Sequence, residues 1–202
     1  KLTDGLSVAL VAPADATYAN WLELSQSIQD QPMTLASTGP DSAFGVALAL
    51  LNKVVGQDFR EVRADGPQAI FDAVVGGEAQ LGLITTNLIP EFNATRPERG
   101  GVWPIMTFGA ERSPLFTQTP TLAELSGDRH DDFTFSLGLY GSAAMSADSA
   151  MQIFRAIKEV ENAPEIMAAP VHAQVPLRVS DGAILTEAFE RDLRLVRSLS
   201  SY

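Results

Sequence analysis

The chain has 202 residues, 46% of them hydrophobic and 19% charged, the balance of a globular protein long enough to bury one core or the cores of two small lobes. With 14 basic against 25 acidic residues the net charge is -11, which disfavours a general grip on a phosphate backbone and argues against nucleic acid as a partner. Cysteine is absent, which removes disulfides, thiol nucleophiles and zinc-thiolate sites, and no apolar run reaches the roughly eighteen residues of a membrane span.

Leu6–Ala12 is a continuous run of small and apolar residues ending at Pro13, and it predicts a buried strand. Asp15 or Thr17 caps a helix over about Tyr18–Gln29, where Trp21, Leu24 and Ile28 recur at helical spacing and which Pro32 stops. Met33–Ala36 follows as a short strand, Ser37–Asp41 as a turn-rich loop and Ser42–Val55 as a helix stopped by Gly56. The pattern repeats with Phe59–Ala64 as strand, Asp65-Gly66-Pro67 as loop, Gln68–Val75 as helix and Gly76-Gly77 as its end. Leu81–Thr85 is another apolar strand. Strands alternating with helices through short loops predict crossover units and a mainly parallel α/β sheet.

After a polar break at Arg96–Gly101, Val102–Phe108 reads as a strand. The turn-rich stretch Glu111–Asp132, with only Leu122–Leu125 as a helical turn, reads as a connection between lobes. Phe133–Tyr140 is a strand, and Asp148–Val160 a helix with Met151, Phe154 and Ile157 on one face. Asp181–Leu199 is a last helix carrying Leu185, Phe189, Leu193 and Val196.

Ser37-Thr38-Gly39-Pro40-Asp41-Ser42-Ala43 is the segment richest in chemistry, because hydroxyls and unpaired N–H groups at a strand-to-helix junction can converge on an anion. An ordinary helix cap by Asp41 or Ser42 accounts for the same residues. Asp65-Gly66-Pro67 and Thr85-Thr86-Asn87 end the next two strands, so all three loops fall at the carboxyl edge of one parallel sheet, where open α/β sheets bind ligands. Catalytic patterns are poor. His130 and His172 fall at no metal-ligand spacing and read as surface residues, and no serine lies in a Gly-x-Ser-x-Gly elbow. No metal or redox cofactor is expected.

Several stretches in order resemble the tripartite tricarboxylate transporter receptors, the Bug family. Val11-Ala12-Pro13-Ala14-Asp15-Ala16-Thr17-Tyr18 is similar to the family's Val-Pro-Ala-Asp-Ser-Pro-Tyr crossover, and Ala36 to Ala43 to its Ser-Gly-rich loop. Gly76-Gly77-Glu78-Ala79-Gln80 resembles its Gly-Gly-Gln-Val-Asp strand entry. Arg112-Ser113-Pro114 and Pro120-Thr121-Leu122-Ala123-Glu124 resemble its Arg-Ser-Pro and Pro-Thr-Leu-Ala-Glu signature, and Phe135 to Tyr140 its later strand.

The resemblance implies a type-II periplasmic-binding-protein-like fold, two-lobed with mainly parallel sheets, with residues 1–109 as second lobe and 110–202 as the remaining first-lobe strand, connection and closing helices. It implies a periplasmic receptor, not an enzyme and not membrane-embedded, that delivers a small mono-, di- or tricarboxylate to membrane transporter subunits. The residues it carries over to the ligand are Ser37, Thr38, Gly39, Asp41, Ser42, Ala43, Gly66, Thr86 and Asn87. The family's Pro-Tyr-Lys-Gly loop is Arg63-Ala64-Asp65-Gly66 here, its Phe-Asp-Asn is replaced in Ile84-Thr85-Thr86-Asn87, and its opening first-lobe strand with a Pro-Gly-Gly loop has no counterpart. A ligand-sensing domain of a bacterial transcription factor is the alternative at this length.

Overall fold

The computed structural model describes residues 2–95, 97–129, 132–168 and 178–199. Contacts divide the chain into two units, residues 1–6 with 135–195 and residues 7–134 with 196–202.

The larger unit is organised by the first apolar run. Strand β1 spans Thr3–Pro13, and Val8, Ala9, Leu10 and Val11 are without exposure. Helix α1 (Trp21–Asp30) leads to β2 (Thr34–Ser37), α2 (Ala43–Val55), β3 (Arg60–Arg63), α3 (Pro67–Val75) and β4 (Leu81–Thr85). The strand order is β3-β2-β4-β1-β5, with β5 at Val102–Thr107. Pairing is parallel from β2 to both β3 and β4, and antiparallel from β1 to both β4 and β5. Strands β2 to β5 therefore point one way, and β1 alone is reversed between β4 and β5. A strand buried on both faces carries the same apolar pattern in either direction, so the parallel expectation holds for the crossover strands and could not register the reversal.

Local signals set the helix ends. Asn20, rather than Asp15 or Thr17, caps α1: its side chain accepts from the Glu23 N–H at 3.1 Å, while Glu23 reaches back to the Ala19 N–H at 2.7 Å. Tyr18, ahead of that cap, is buried and donates its hydroxyl to the Gln80 carbonyl at 3.1 Å. Helix α2 buries Phe44, Ala47, Leu48, Leu50 and Leu51, and α3 buries Ile70, Phe71 and Val74. Each large side chain so removed from water contributes about 1.5–3 kcal/mol.

After β4 the chain makes a 3-10 turn, Thr86–Leu88, and then α4 (Ile89–Thr95), a helix not foreseen in the sequence. Its buried residues Ile89 and Phe92 are too few to set a period, and Pro90 sits where a first helical turn tolerates it. The Asn93 side chain then holds both the N–H and the carbonyl of Val102, at 2.9 and 3.0 Å, which starts β5. The stretch expected to link lobes lies within the larger unit: Thr107 donates to the Pro120 carbonyl at 2.9 Å, and α5 (Leu122–Ser126) opens on a capping box of Thr121 and Glu124.

In the smaller unit, β6 (Thr134–Leu137) pairs with β1, and the Leu2 N–H donates to the Leu137 carbonyl at 2.8 Å. It stops before the predicted Tyr140, at Gly138. Helix α6 (Ala147–Glu161), the short α7 (Pro164–Met167) and α8 (Gly182–Leu199) complete the unit. Lys158 ties α6 to the approach to α8 by donating to the Val179 carbonyl at 3.0 Å. No described helix is long and apolar enough to cross a membrane.

Candidate functional site

The carboxyl ends of β2 and β3 lie side by side, with Ser37 in register with Arg63, and the Ala64 N–H donates to the Ser37 carbonyl at 2.9 Å. From this edge the β2–α2 loop folds over itself. The Ser37 hydroxyl, fully buried, accepts from the Gly39 N–H at 3.1 Å and donates to the Glu61 carboxylate. Ser42 Oγ donates to the Gly39 carbonyl at 2.7 Å, accepts from Thr38 Oγ1 at 2.7 Å, and accepts from the Gly45 N–H at 3.0 Å as the cap of α2. Three bonds leave that hydroxyl fully engaged in shaping the loop, as the capping alternative requires.

Two glycines make this geometry possible. Gly39 has φ +96°, a region that disfavours L side chains, and a Cβ there would stand 3.2 Å from both Cζ and Nε of Arg63. Gly45 is helical, but a Cβ on it would meet the Gly39 carbonyl oxygen at 2.4 Å and the Pro40 Cα at 2.6 Å. The bare Cα of Gly45 is thus the surface on which the loop rests. Its role was not read from the sequence, although a glycine early in a helix, about 1 kcal/mol worse than alanine, is the signal that could have revealed it.

With the hydroxyls of Ser37 and Ser42 engaged, polar capacity at this edge resides in the N–H groups of Ala43 and Phe44, which have no acceptor inside the first helical turn, and in the Arg63 guanidinium. Arg63 is exposed and has no ion-pair partner among the described residues. A helix start and a guanidinium beside one glycine give local positive potential on a chain of net charge -11. Asp41 is exposed at the rim.

The other expected residues leave the same sheet edge without sharing a hydrogen bond with this loop. Gly66 precedes α3 at φ +109°, with Pro67 as first helical residue. Thr86 is buried and Asn87 half-buried in the 3-10 turn after β4. His130 and His172 lie outside the described residues, among which no group of three or more His, Cys, Asp or Glu could hold a metal ion.

A sheet of this order carrying its strand-to-helix loops on one edge is the fold of a periplasmic solute-binding protein. Among solved structures of that class, the chain is similar to a TctC solute-binding protein from Polaromonas (16% identity, TM-score 0.75, covering 99% of this chain and 67% of that one). It is similar likewise to the periplasmic binding protein BugD (14% identity, TM-score 0.80, the same coverage), and to MatC from Rhodopseudomonas palustris with bound malate (15% identity, TM-score 0.76, 98% and 68%). At such identities what is shared is the fold, and the chain spans about two thirds of the length of these proteins. No protein-family model and no curated protein matches it in sequence.

Proposed function

We propose that this chain acts as a periplasmic receptor of the tripartite tricarboxylate transporter family, which captures a small organic carboxylate and hands it to a membrane transporter. The observation that carries the reading is the β2–α2 loop, where a hydroxyl-knitted turn that caps α2 sets Gly39 against the side chain of Arg63, which has no ion-pair partner among the described residues. Residues 1–109 would serve as the second lobe and 110–202 would contribute to the first.

The mechanism is binding without bond chemistry. One carboxylate oxygen accepts from the N–H groups of Ala43 and Phe44, and the other accepts from Arg63, with Thr38, Gly66, Thr86 and Asn87 along the same edge available to a second polar group of the ligand. Charge-assisted hydrogen bonds of this kind contribute about 1.5–3 kcal/mol each. Ser37, Gly39 and Ser42 hold the loop in shape. The malate seen in MatC, a protein of the same fold, supports the ligand class.

The test is a thermal-melt panel of mono-, di- and tricarboxylates, with malate first, against sugars and nucleotides. Carboxylates should raise the melting temperature in a concentration-dependent way. An increase with a sugar and none with any carboxylate would contradict the proposal.

A further inference from the structure

Strand β3 closes one edge of the sheet, and Arg60, Glu61 and Arg63 on it are exposed. Two arginines thus lie within two residues of Glu61, yet among the described residues it forms no ion pair. Its carboxylate instead accepts the hydroxyl of Ser37. The register explains the contact: Leu35 pairs with Glu61 and Ser37 with Arg63, and residues two apart on a strand share a face, so Ser37, Glu61 and Arg63 stand on one side of the sheet. Ser37 is fully buried, and its hydroxyl has a single proton. With that proton on Glu61, the oxygen serves only as an acceptor, and it takes the Gly39 N–H at 3.1 Å. Polarity therefore runs one way, from the Gly39 N–H through Ser37 to the Glu61 carboxylate.

We infer that Glu61 is a positioning residue for the carboxylate site, acting through the Ser37 hydroxyl to hold Gly39, and with it the loop that caps α2, against the Arg63 side chain. Gly39 is the point where the loop's bonds meet: its N–H goes to Ser37, its carbonyl receives Ser42 Oγ at 2.7 Å, and a Cβ on it would stand 3.2 Å from the Arg63 guanidinium. Without an acceptor at position 61, the buried Ser37 hydroxyl must turn to another partner, because an unmet buried donor is costly, and in turning it releases the Gly39 N–H. A negative charge on the same face as Arg63 opposes an anion, so electrostatics gives no reason for a glutamate here, whereas the orientation of Ser37 does. The inference rests on the proposed carboxylate site.

The experiment compares Glu61→Gln with Glu61→Ala by calorimetry with malate and by hydrogen exchange of the Gly39 amide in the ligand-free protein. Both variants remove the same charge, so a difference between them reports the acceptor alone: the glutamine carbonyl can still receive the Ser37 proton, and alanine offers nothing. Glu61→Gln should keep the Gly39 amide protected and bind malate about two- to three-fold more tightly than the parent, the effect in water of removing a like charge about 7 Å away, the spacing of residues two apart on a strand. Glu61→Ala should bind about ten-fold more weakly than Glu61→Gln, and its Gly39 amide should exchange about ten-fold or more faster. In a Ser37→Ala background the two substitutions should bind alike, because no hydroxyl is left to orient. Circular dichroism checks the folding of each variant, and Glu61→Met, of similar length and without a carboxylate, replaces alanine if that variant does not fold. Equal affinities of Glu61→Gln and Glu61→Ala, an unchanged Gly39 amide in Glu61→Ala, or a difference that persists without the Ser37 hydroxyl would each overturn the inference and leave the carboxylate reading standing. A parent protein that binds no carboxylate overturns that reading, and the inference with it.

Discussion

Gly45→Ala separates the loop geometry described here from a generic helix. In an ordinary helix interior, replacing glycine by alanine stabilises by about 0.5–1 kcal/mol, because the unfolded chain loses freedom. At this position the added Cβ would fall 2.4 Å from the Gly39 carbonyl oxygen and within 2.7 Å of the Pro40 backbone, atoms that cannot swing aside as a flexible side chain could. Relief requires lifting the loop off α2, which strains the Ser42–Gly39 bond and costs about 1–3 kcal/mol as overpacking does elsewhere. The sign therefore reverses, to a net loss of roughly 0.5–2 kcal/mol once the usual gain is subtracted. Urea unfolding should give a lower midpoint with an unchanged slope. A midpoint raised by the ordinary alanine gain would refute the packing of the loop on Gly45.

Ser42→Ala removes the α2 cap and two further loop bonds, and should cost about 0.5–2 kcal/mol in the same assay; unchanged stability would show that the hydroxyl does not organise the loop. Arg63→Ala should leave stability within about 0.5 kcal/mol, as for an exposed unpaired side chain, while weakening carboxylate affinity by about ten-fold in calorimetry. Equal affinity would remove Arg63 from the site. Burial raises the Tyr18 phenol above its ordinary 10.0, so the unfolded chain ionises first: stability is full below pH 10 and declines as pH rises through the folded value. Tyr18→Phe should abolish that alkaline decline and lose about 0.5–1.5 kcal/mol at neutral pH with the bond to Gln80; a decline that persists would assign it elsewhere.

Much of the larger unit was legible because its signals are local. Ser42 and Gly56 bracket α2 within a residue of its observed bounds, and Leu81–Thr85 is the strand its composition indicates. The features that escaped depend on distant partners. The reversal of β1 depends on the sheet it enters, and the meeting of Arg63 with Gly39 depends on the register of β2 against β3. Ser37 and Ser42 were legible as loop hydroxyls, but that both are engaged within the loop follows from Glu61 and Gly45, whose positions no local pattern indicates. The apolar stripes of α6 and α8 could likewise be read from spacing, though not that Phe154 and Ile157 of one and Leu185 of the other line the same groove.

The central claim, that a small carboxylate docks on the β2–α2 loop, is tested most directly by following backbone amide resonances during a titration with malate. The account predicts that the largest shifts fall on Ala43 and Phe44, with Gly39 and Ser42 moving as the loop responds, and that glucose at the same concentrations moves none of them. Saturable shifts confined to another part of the chain, or none at millimolar malate, would contradict it.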